Sequence, residues 1–281
     1  MKTINPTLNS EREKRSASNS VSIITPCYNA SETLAKTITS VQQQDFEDWE
    51  LIIVDDQSSD TTYKTALKFS EIDPRIKVIQ QNENAGAAKA RNRGIEIAQG
   101  RFIAFIDADD QWATNKLSRQ LAMMLENQWP ISYTAYTRHT SDGTIINAVG
   151  VPKKITYRDL LKTNVIGCST AIYDSQILGK IYMPDLRKRQ DYGLWLRILR
   201  KTPYAYGINS ALTLYLVQQN SLSANKKKSA LYNWHIYRNE EKLSLLSSWY
   251  NFVNYAFRGA IRTNLPNLAY FIGLLEKPDR D

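Results

Sequence analysis

Cysteine and histidine are almost missing from these 281 residues, which hold only Cys27, Cys168, His139 and His235. Four such residues spread along a chain are a poor supply for zinc, and two cysteines build no disulfide framework. A reducing cytoplasm is therefore the expected compartment. No apolar run is long enough to span a bilayer, and no internal repeat or low-complexity tract is present. The opening segment, "MKTINPTLNSEREKRSASNS", lacks the apolar centre of a secretory signal, so residues 1–20 are expected to be a disordered leader. The protein should be soluble or rest on a membrane surface. Acidic residues are outnumbered, 28 against 36 Lys and Arg, for a net charge of +8. That excess favours an anionic partner, whether nucleic acid, a phosphorylated small molecule or an acidic membrane. With 42% hydrophobic residues, the chain can bury the core of one large domain or two intimate halves.

What is present first is alternation. "VSIIT" (21–25), "LIIVDD" (51–56), "IKVIQQ" (76–81) and "RFIAFID" (101–107) are short, apolar and rich in β-branched residues, as buried parallel strands are. Between them lie helical patterns: Leu34, Ile38 and Val41 share one face, and Tyr63, Ala66 and Leu67 follow Asp60. "GAAKARNRGIEIAQG" carries small residues suited to close packing on a sheet. Asn29 with Glu32 has the spacing of a capping box, Gly86 suits a turn, and Gly100 suits a helix C-cap. This βαβαβαβ order predicts an open, mostly parallel, doubly wound sheet with its ligand outside the carboxyl ends of the strands. Polar residues gather at those ends: "TPCYN", "DDQSSD", "QQNENAG" and "DADDQW". Four loops should converge on one rim.

Beyond residue 128 the pattern loosens. "ISYTAYT" and "GTIINAVG" predict antiparallel strands about the Asp142–Gly143 turn, "TYRDLLKT" a short helix and "CSTAIYD" a strand. "LRKRQDYGLWLRILRK" reads as helical from Asp191, with Leu194, Trp195, Ile198 and Leu199 as its apolar face, and "ALTLYLVQ" as another strand. On apolar periodicity Trp195 belongs in the core, and Cys27 reads as a small buried hydrophobe.

The strand-end carboxylates carry the chemistry. Asp107 and Asp109 form an Asp-x-Asp that can hold a hard cation, Mg²⁺ or Mn²⁺, while leaving coordination positions open for phosphate oxygens. Without a cation, three neighbouring aspartates raise one another's pKa. On the same rim, Asp56 is placed to accept from the N–H of a base and Tyr28 to stack on it. Asp55, Asp56 and Asp60 also suit helix capping, and Asp60 is expected to do only that. Lys89 and Arg91 lie near a helix start, where they suit either a diphosphate or a surface and packing role.

The stretches "VSIITPCYNASETLAKTITSVQQQDFEDWELIIVDDQSSD", "NENAGAAKARNRGIEIAQGRFIAFIDADD" and "RQDYGLWLRILRK", in that order, resemble family 2 of the glycosyltransferases from about Val21 to about Asn225. The resemblance implies a GT-A (nucleotide-diphospho-sugar transferase) fold, α/β, with a C-terminal helical extension. It implies that Pro26, Tyr28 and Asp56 bind the nucleotide, that Asp109 is the direct metal ligand beside Asp107, and that Asp191 is the catalytic base. It further implies transfer from a nucleotide-diphospho-sugar, by family habit a UDP-sugar, with inversion, to a glycan or lipid-linked acceptor in surface-polysaccharide or lipopolysaccharide assembly. In isolation Asp191 reads first as the N-cap of its helix; the Asp-x-Asp upstream and the family spacing favour the base instead. Gln190 stands where many members have an acid, and Leu216 and Gln218 stand where many carry Arg and His. The expected organisation is a nucleotide-sugar-binding half, 21–127, an acceptor-binding and catalytic half, 128–225, and a basic aromatic extension, 226–281.

In that extension Trp249, Tyr250, Phe252, Val253, Phe257, Ala260 and Ile261 predict one broad apolar face bordered by Arg258 and Arg262. Such a helix suits an anionic membrane surface over residues 226–275, giving a peripheral association; packing on the domain or in a homodimer would also cover it. A nucleic-acid-binding role is disfavoured, since the basic tail adjoins an acidic rim that repels phosphates. A dinucleotide-dependent dehydrogenase is excluded because "TPCYN", and no Gly-x-Gly-x-x-Gly, follows the first strand. A sugar-nucleotide binder without catalysis would have no use for Asp191.

Overall fold

The four apolar runs of the front half become strands β1 (Val21–Cys27), β2 (Trp49–Asp55), β3 (Ile76–Gln80) and β4 (Phe102–Phe105). In the computed structural model, which describes residues 19–217 and 226–279, they lie parallel in the order β3-β2-β1-β4. Helices α1 (Leu34–Gln42), α2 (Thr62–Ile72) and α3 (Ala87–Ile97) link them. Successive residues of a strand face opposite sides, so a strand covered on both faces must be apolar throughout. Ile23 and Ile24 show this, both fully buried but in separate clusters: Ile23 packs with Leu34, Ile38 and Val41 of α1, Ile24 with Ala90 and Ile95 of α3. Burying each such side chain contributes about 1.5–3 kcal/mol.

The back half extends the same sheet. β5 (Gln111–Trp112), α4 (Lys116–Asn127), β6 (Ile131–His139), β7 (Ile145–Val149), β8 (Lys154–Ile155) and α5 (Tyr157–Lys162) come first. Then follow β9 (Ile172–Asp174), α6 (Ser175–Leu178), α7 (Gln190–Leu199) and β10 (Ala205–Leu216). β9 runs antiparallel between β4 and β6, and β10 lies parallel to β6, completing the order β3-β2-β1-β4-β9-β6-β10-β5. β7 pairs with β6 across the turn at Gly143 as predicted. Both halves thus share one continuous sheet. Trp195 is fully buried, edge-on to Phe105, so α7 is fastened directly behind β4.

Three local expectations fail. Asn29 does not cap α1: that helix starts after Thr33, while Asn29 adopts a φ of 48° and accepts from the Ser59 N–H at 2.9 Å. Bonding to the neighbouring loop outcompetes the capping box with Glu32. Gly100 does not cap α3, which ends at Ile97. A Cβ there would lie 2.7 Å from the Ser22 nitrogen, so glycine is needed where the chain crosses β1. "CSTAIYD" is only half strand, because Cys168–Thr170 form a 3₁₀ turn.

The extension comprises α8 (Lys226–His235), a π-helical turn at Ile236–Glu240, α9 (Leu245–Asn264) and α10 (Pro266–Phe271). It is fastened to the back half. Ile236 and Tyr237 enter the main core, the Tyr237 hydroxyl donates to the Leu161 carbonyl at 2.6 Å, and Glu241 pairs with Arg200 at 2.7 Å. The broad apolar face splits: Ile261 is buried and Phe252 is half-buried, while Trp249, Tyr250, Val253 and Phe257 remain exposed. Residues 1–18 of the leader, and Gln218, lie outside the described residues.

Candidate active site

The loops after β1, β2, β3 and β4 interlock on one rim. Asn29 donates its N–H to Ser58 Oγ at 3.0 Å, and Ala30 donates to Thr62 Oγ1 at 2.7 Å. Asp60 accepts from the N–H of Thr62 at 2.9 Å, at the start of α2, and from that of Ser31 at 3.2 Å. Burial is the largest single influence and opposes ionisation, but these donors together overcome it and take the carboxyl down to about 2. Thr61, not Asp60, holds the cap position of α2, so Asp60 is not the expected cap and instead ties two loops together. Asp55 is wholly internal, accepting from the Ser58 N–H at 3.1 Å and from Gln80 Nε2 at 3.0 Å.

Asp56, 4% exposed, is the pin of the rim. It accepts from the N–H groups of Ala85 at 2.9 Å and Gly86 at 2.8 Å, and from Gln81. A carboxylate offers about four acceptor positions, so three donors leave one for a further N–H such as that of a base. Gly86 makes this geometry possible with a φ of +93°. Tyr28 stands beside the rim, 52% exposed, its ring open to a stacking partner. Pro26 is buried within β1 opposite Val54 and shapes the loop rather than offering a polar group.

At the end of β4 the three aspartates divide their tasks. Asp110 is buried, accepts from Ser169 Oγ and from the Leu216 N–H at 3.1 Å, and so joins the rim to β10. Burial, then Asp107 and Asp109, push its carboxyl well above the ordinary range. Asp107 is ion-paired with Arg91, and its N–H donates to Ser169 Oγ at 3.0 Å. Asp109 is half-buried and raised to about 6, first by burial and then by Asp107. Arg91, only 5% exposed, is the inward-facing cation of α3, whereas Lys89 is exposed on the same helix.

Asp191 is not a cap. Arg189, with a φ of 63°, occupies the cap position of α7 without a side-chain bond to the helix N-terminus, and Asp191 is the second residue of the helix. Burial raises its carboxyl; Arg91 opposes most strongly, then the Tyr192 N–H and Arg189, while Asp107 adds to the rise. Asp107 and Asp191 line one cavity of about 510 Å³, whose lining also includes Arg189, Arg258 and Arg262. The structure thus gathers Asp107, Asp191 and Arg91, with Asp109 coupled to them through Asp107. Ser169, Arg189, Arg258 and Arg262 were not anticipated here. Nothing in the spacing of Ser169 signals its two carboxylate-loop bonds, and the arginines read only as a helix border.

The architecture is that of the GT-A glycosyltransferases. TarS of S. aureus, solved with UDP-GlcNAc, superposes with a TM-score of 0.65 over 91% of this chain and 79% of its own at 20% identity. A mannosyltransferase of Pyrobaculum calidifontis, solved with GDP-Man and Mn²⁺, gives 0.63 over 95% and 86% at 16% identity. The model of glycosyl transferase family 2 matches residues 22–178, and the chain belongs to that family. It is 43% identical to TuaG, the candidate teichuronic acid biosynthesis glycosyltransferase of Bacillus subtilis (strain 168), over 87% of this chain and 97% of the relative. It is 41% identical, over 77% and 84%, to WfgD of Escherichia coli, a UDP-Glc:α-D-GlcNAc-diphosphoundecaprenol β-1,3-glucosyltransferase.

Proposed function

We propose that this glycosyltransferase moves a sugar, with inversion, from a UDP-sugar to a lipid-linked glycan in the assembly of a cell-surface polysaccharide. The observation that carries the reading is the placement of Asp191: a carboxyl raised by burial, facing the same cavity as Asp107 at the end of the Asp-x-Asp strand. The relatives' names support the donor and acceptor classes.

Direct displacement at the anomeric carbon needs a base on the side opposite the leaving nucleotide. Asp191 takes the proton of the acceptor hydroxyl as its oxygen forms the new glycosidic bond and the bond to the diphosphate breaks. A carboxylate with a raised pKa is the better base for this step. Tyr28 and the remaining acceptor position of Asp56 hold the uracil. No protein nucleophile is needed.

A divalent cation, Mn²⁺ or Mg²⁺, fits the carboxylates that are present. Asp109 is held up to about 6 by burial and by Asp107, an unfavourable charge that a cation would relieve. Asp107 is already balanced by Arg91, so Asp109 would be the direct ligand and Asp107 its neighbour. Among the described residues no cluster of three or more His, Cys, Asp or Glu is set to hold a metal by itself, so phosphate oxygens and water would complete the coordination. When bound, the ion would supply positive charge to the departing diphosphate.

The exposed Leu245, Leu246, Trp249, Tyr250, Val253 and Phe257 of α9 form the surface proposed to rest on the membrane carrying the acceptor. Among the described residues no helix is long and apolar enough to cross it. Titration of the purified protein with UDP, with and without Mn²⁺, tests the donor and metal together. Binding that tightens at least tenfold with Mn²⁺ is expected; metal-indifferent or absent binding would count against the reading.

A further inference from the structure

The cavity that holds Asp191 has a cationic wall supplied by the extension, and the catalytic step leaves that wall unused. We infer that Arg258 and Arg262 of α9, together with Arg189, bind the diphosphate of an isoprenoid-linked acceptor whose hydrocarbon chain follows the aromatic groove of α8 and α9. The inference rests on the glycosyltransferase reading above and adds to it the part of the acceptor recognised by the tail.

Phe252, Tyr255, Arg258 and Arg262 are spaced by three, three and four residues, which places them along one side of α9. At its polar end, Arg258, Arg262 and Arg189 all line the cavity. None of the three forms an ion pair among the described residues. Arg262 donates to neutral groups, the Leu274 carbonyl and Thr163 Oγ1, each at 2.9 Å. Arg189 donates to the Tyr255 hydroxyl at 3.0 Å. The acids lining the cavity besides Asp107 and Asp191 are Asp159, which Arg258 also helps to hold ionised, and Glu276. Asp159 is engaged by the Thr156 N–H at 3.1 Å and hydroxyl at 2.6 Å in the cap of α5. Burial and then the neighbouring Arg258 pull Arg262 below its ordinary value, as expected of two like charges held close together. Guanidinium forks suit phosphate oxygens, and two or three together suit a diphosphate.

Geometry assigns this diphosphate to the acceptor. Asp107 and Asp191 line the cavity, while Asp109, Asp56 and Tyr28 do not. A base stands on the attacking side, opposite the leaving nucleotide, so an anion held by the arginines that share Asp191's cavity, which Tyr28 and Asp56 do not enter, arrives with the acceptor. The other end of the stripe is apolar. Phe252 lies 6.4 Å from Tyr255 between ring centroids, and it meets Trp234 and Trp249 at 5.6 and 6.2 Å. These three rings line an apolar pocket with Ala230 and Leu231. Arg189, Tyr255 and Phe252 therefore form a chain of contacts from the cationic end to the apolar pocket. A sugar diphosphoryl isoprenoid has that sequence of groups.

The test uses farnesyl diphosphate, titrated by calorimetry into the full-length protein saturated with UDP and Mn²⁺. Wild-type protein is expected to bind it, and Arg258→Gln to weaken binding at least tenfold, about 1.4 kcal/mol. Arg262→Lys keeps the charge but loses the fork, and should weaken binding while thermal unfolding reports whether the tail still packs. Asp109→Ala and the wild type, both titrated without UDP or Mn²⁺, should bind farnesyl diphosphate alike, since the site is not the metal. Wild-type protein that binds UDP but not farnesyl diphosphate overturns the inference. So does undiminished affinity in Arg258→Gln, or loss of binding in Asp109→Ala. Inorganic pyrophosphate binding as tightly as farnesyl diphosphate overturns the lipid half. Failure to bind UDP at all falls on the glycosyltransferase reading instead.

Discussion

Arg91→Gln should both loosen the fold and displace the pH dependence of transfer. The side chain is 5% exposed, ion-paired to Asp107 and the strongest opposing influence on the raised Asp191 carboxyl. Removing one member of a fully buried pair costs about 3–5 kcal/mol. Asp107 keeps 30% side-chain exposure and regains some hydration, so about 2–3 kcal/mol is the reasonable figure. At about 2–4 °C per kcal/mol for a domain of this size, calorimetry should show Tm lower by roughly 5–10 °C. The kinetic effect has a fixed sign. Arg91 lowers the Asp191 pKa, so its loss raises it, and the acid limb of kcat/KM moves to higher pH. Arg91→Lys should restore the limb but only part of the Tm. A limb that stays in place in Arg91→Gln would refute the electrostatic role, and an unchanged Tm would refute the buried pair.

Asp109 gives a second pH signature. In metal-free protein its carboxyl takes up a proton near pH 6 when folded but only near about 3.9 when unfolded. The folded state therefore binds more protons in that window, and stability to urea should rise by about 1.3 kcal/mol as pH falls from 7 to 5. Asp109→Asn should flatten this slope and Mn²⁺ should reverse it; a fall in stability over the same window contradicts the assignment. Asp56→Ala, which frees the Ala85 and Gly86 N–H groups, should cost about 1–3 kcal/mol in denaturant unfolding and weaken UDP binding; full UDP affinity would remove Asp56 from the nucleotide site. Tyr250→Ser with Phe257→Ser, at side chains 60% and 63% exposed, should leave Tm unchanged. Co-sedimentation with phosphatidylglycerol vesicles should drop at least tenfold, and equal retention would show that another surface meets lipid.

The front half was legible because each strand is buried on both faces and so declares itself as an apolar run, and because loops after parallel strands must emerge on one side. That logic alone places Asp56, Asp107 and Asp109 together. Asp191 was harder: an aspartate opening an amphipathic helix has the sequence of a cap, and only the fold reveals that Arg189 takes the cap position. Arg91 and Lys89 are two residues apart on one helix, so periodicity puts them on different faces without saying which faces the carboxylates. Asn29 and Gly100 misled because local capping patterns took no account of the neighbouring strand and loop. The cationic wall was invisible, since Arg258 and Arg262 lie more than sixty residues from Asp191 in the chain and reach it only because Tyr237 and Glu241 fasten the extension to the back half.

The most direct trial of the account compares two variants in the same pair of assays, Mn²⁺-dependent UDP affinity and single-turnover sugar transfer. Asp191→Asn should keep the affinity of the wild type and lose transfer by about 10²-fold or more, while Asp109→Ala should lose the Mn²⁺-dependent affinity itself. Transfer at the wild-type rate by Asp191→Asn, or metal-dependent affinity retained by Asp109→Ala, would contradict the division of labour between the two carboxylates.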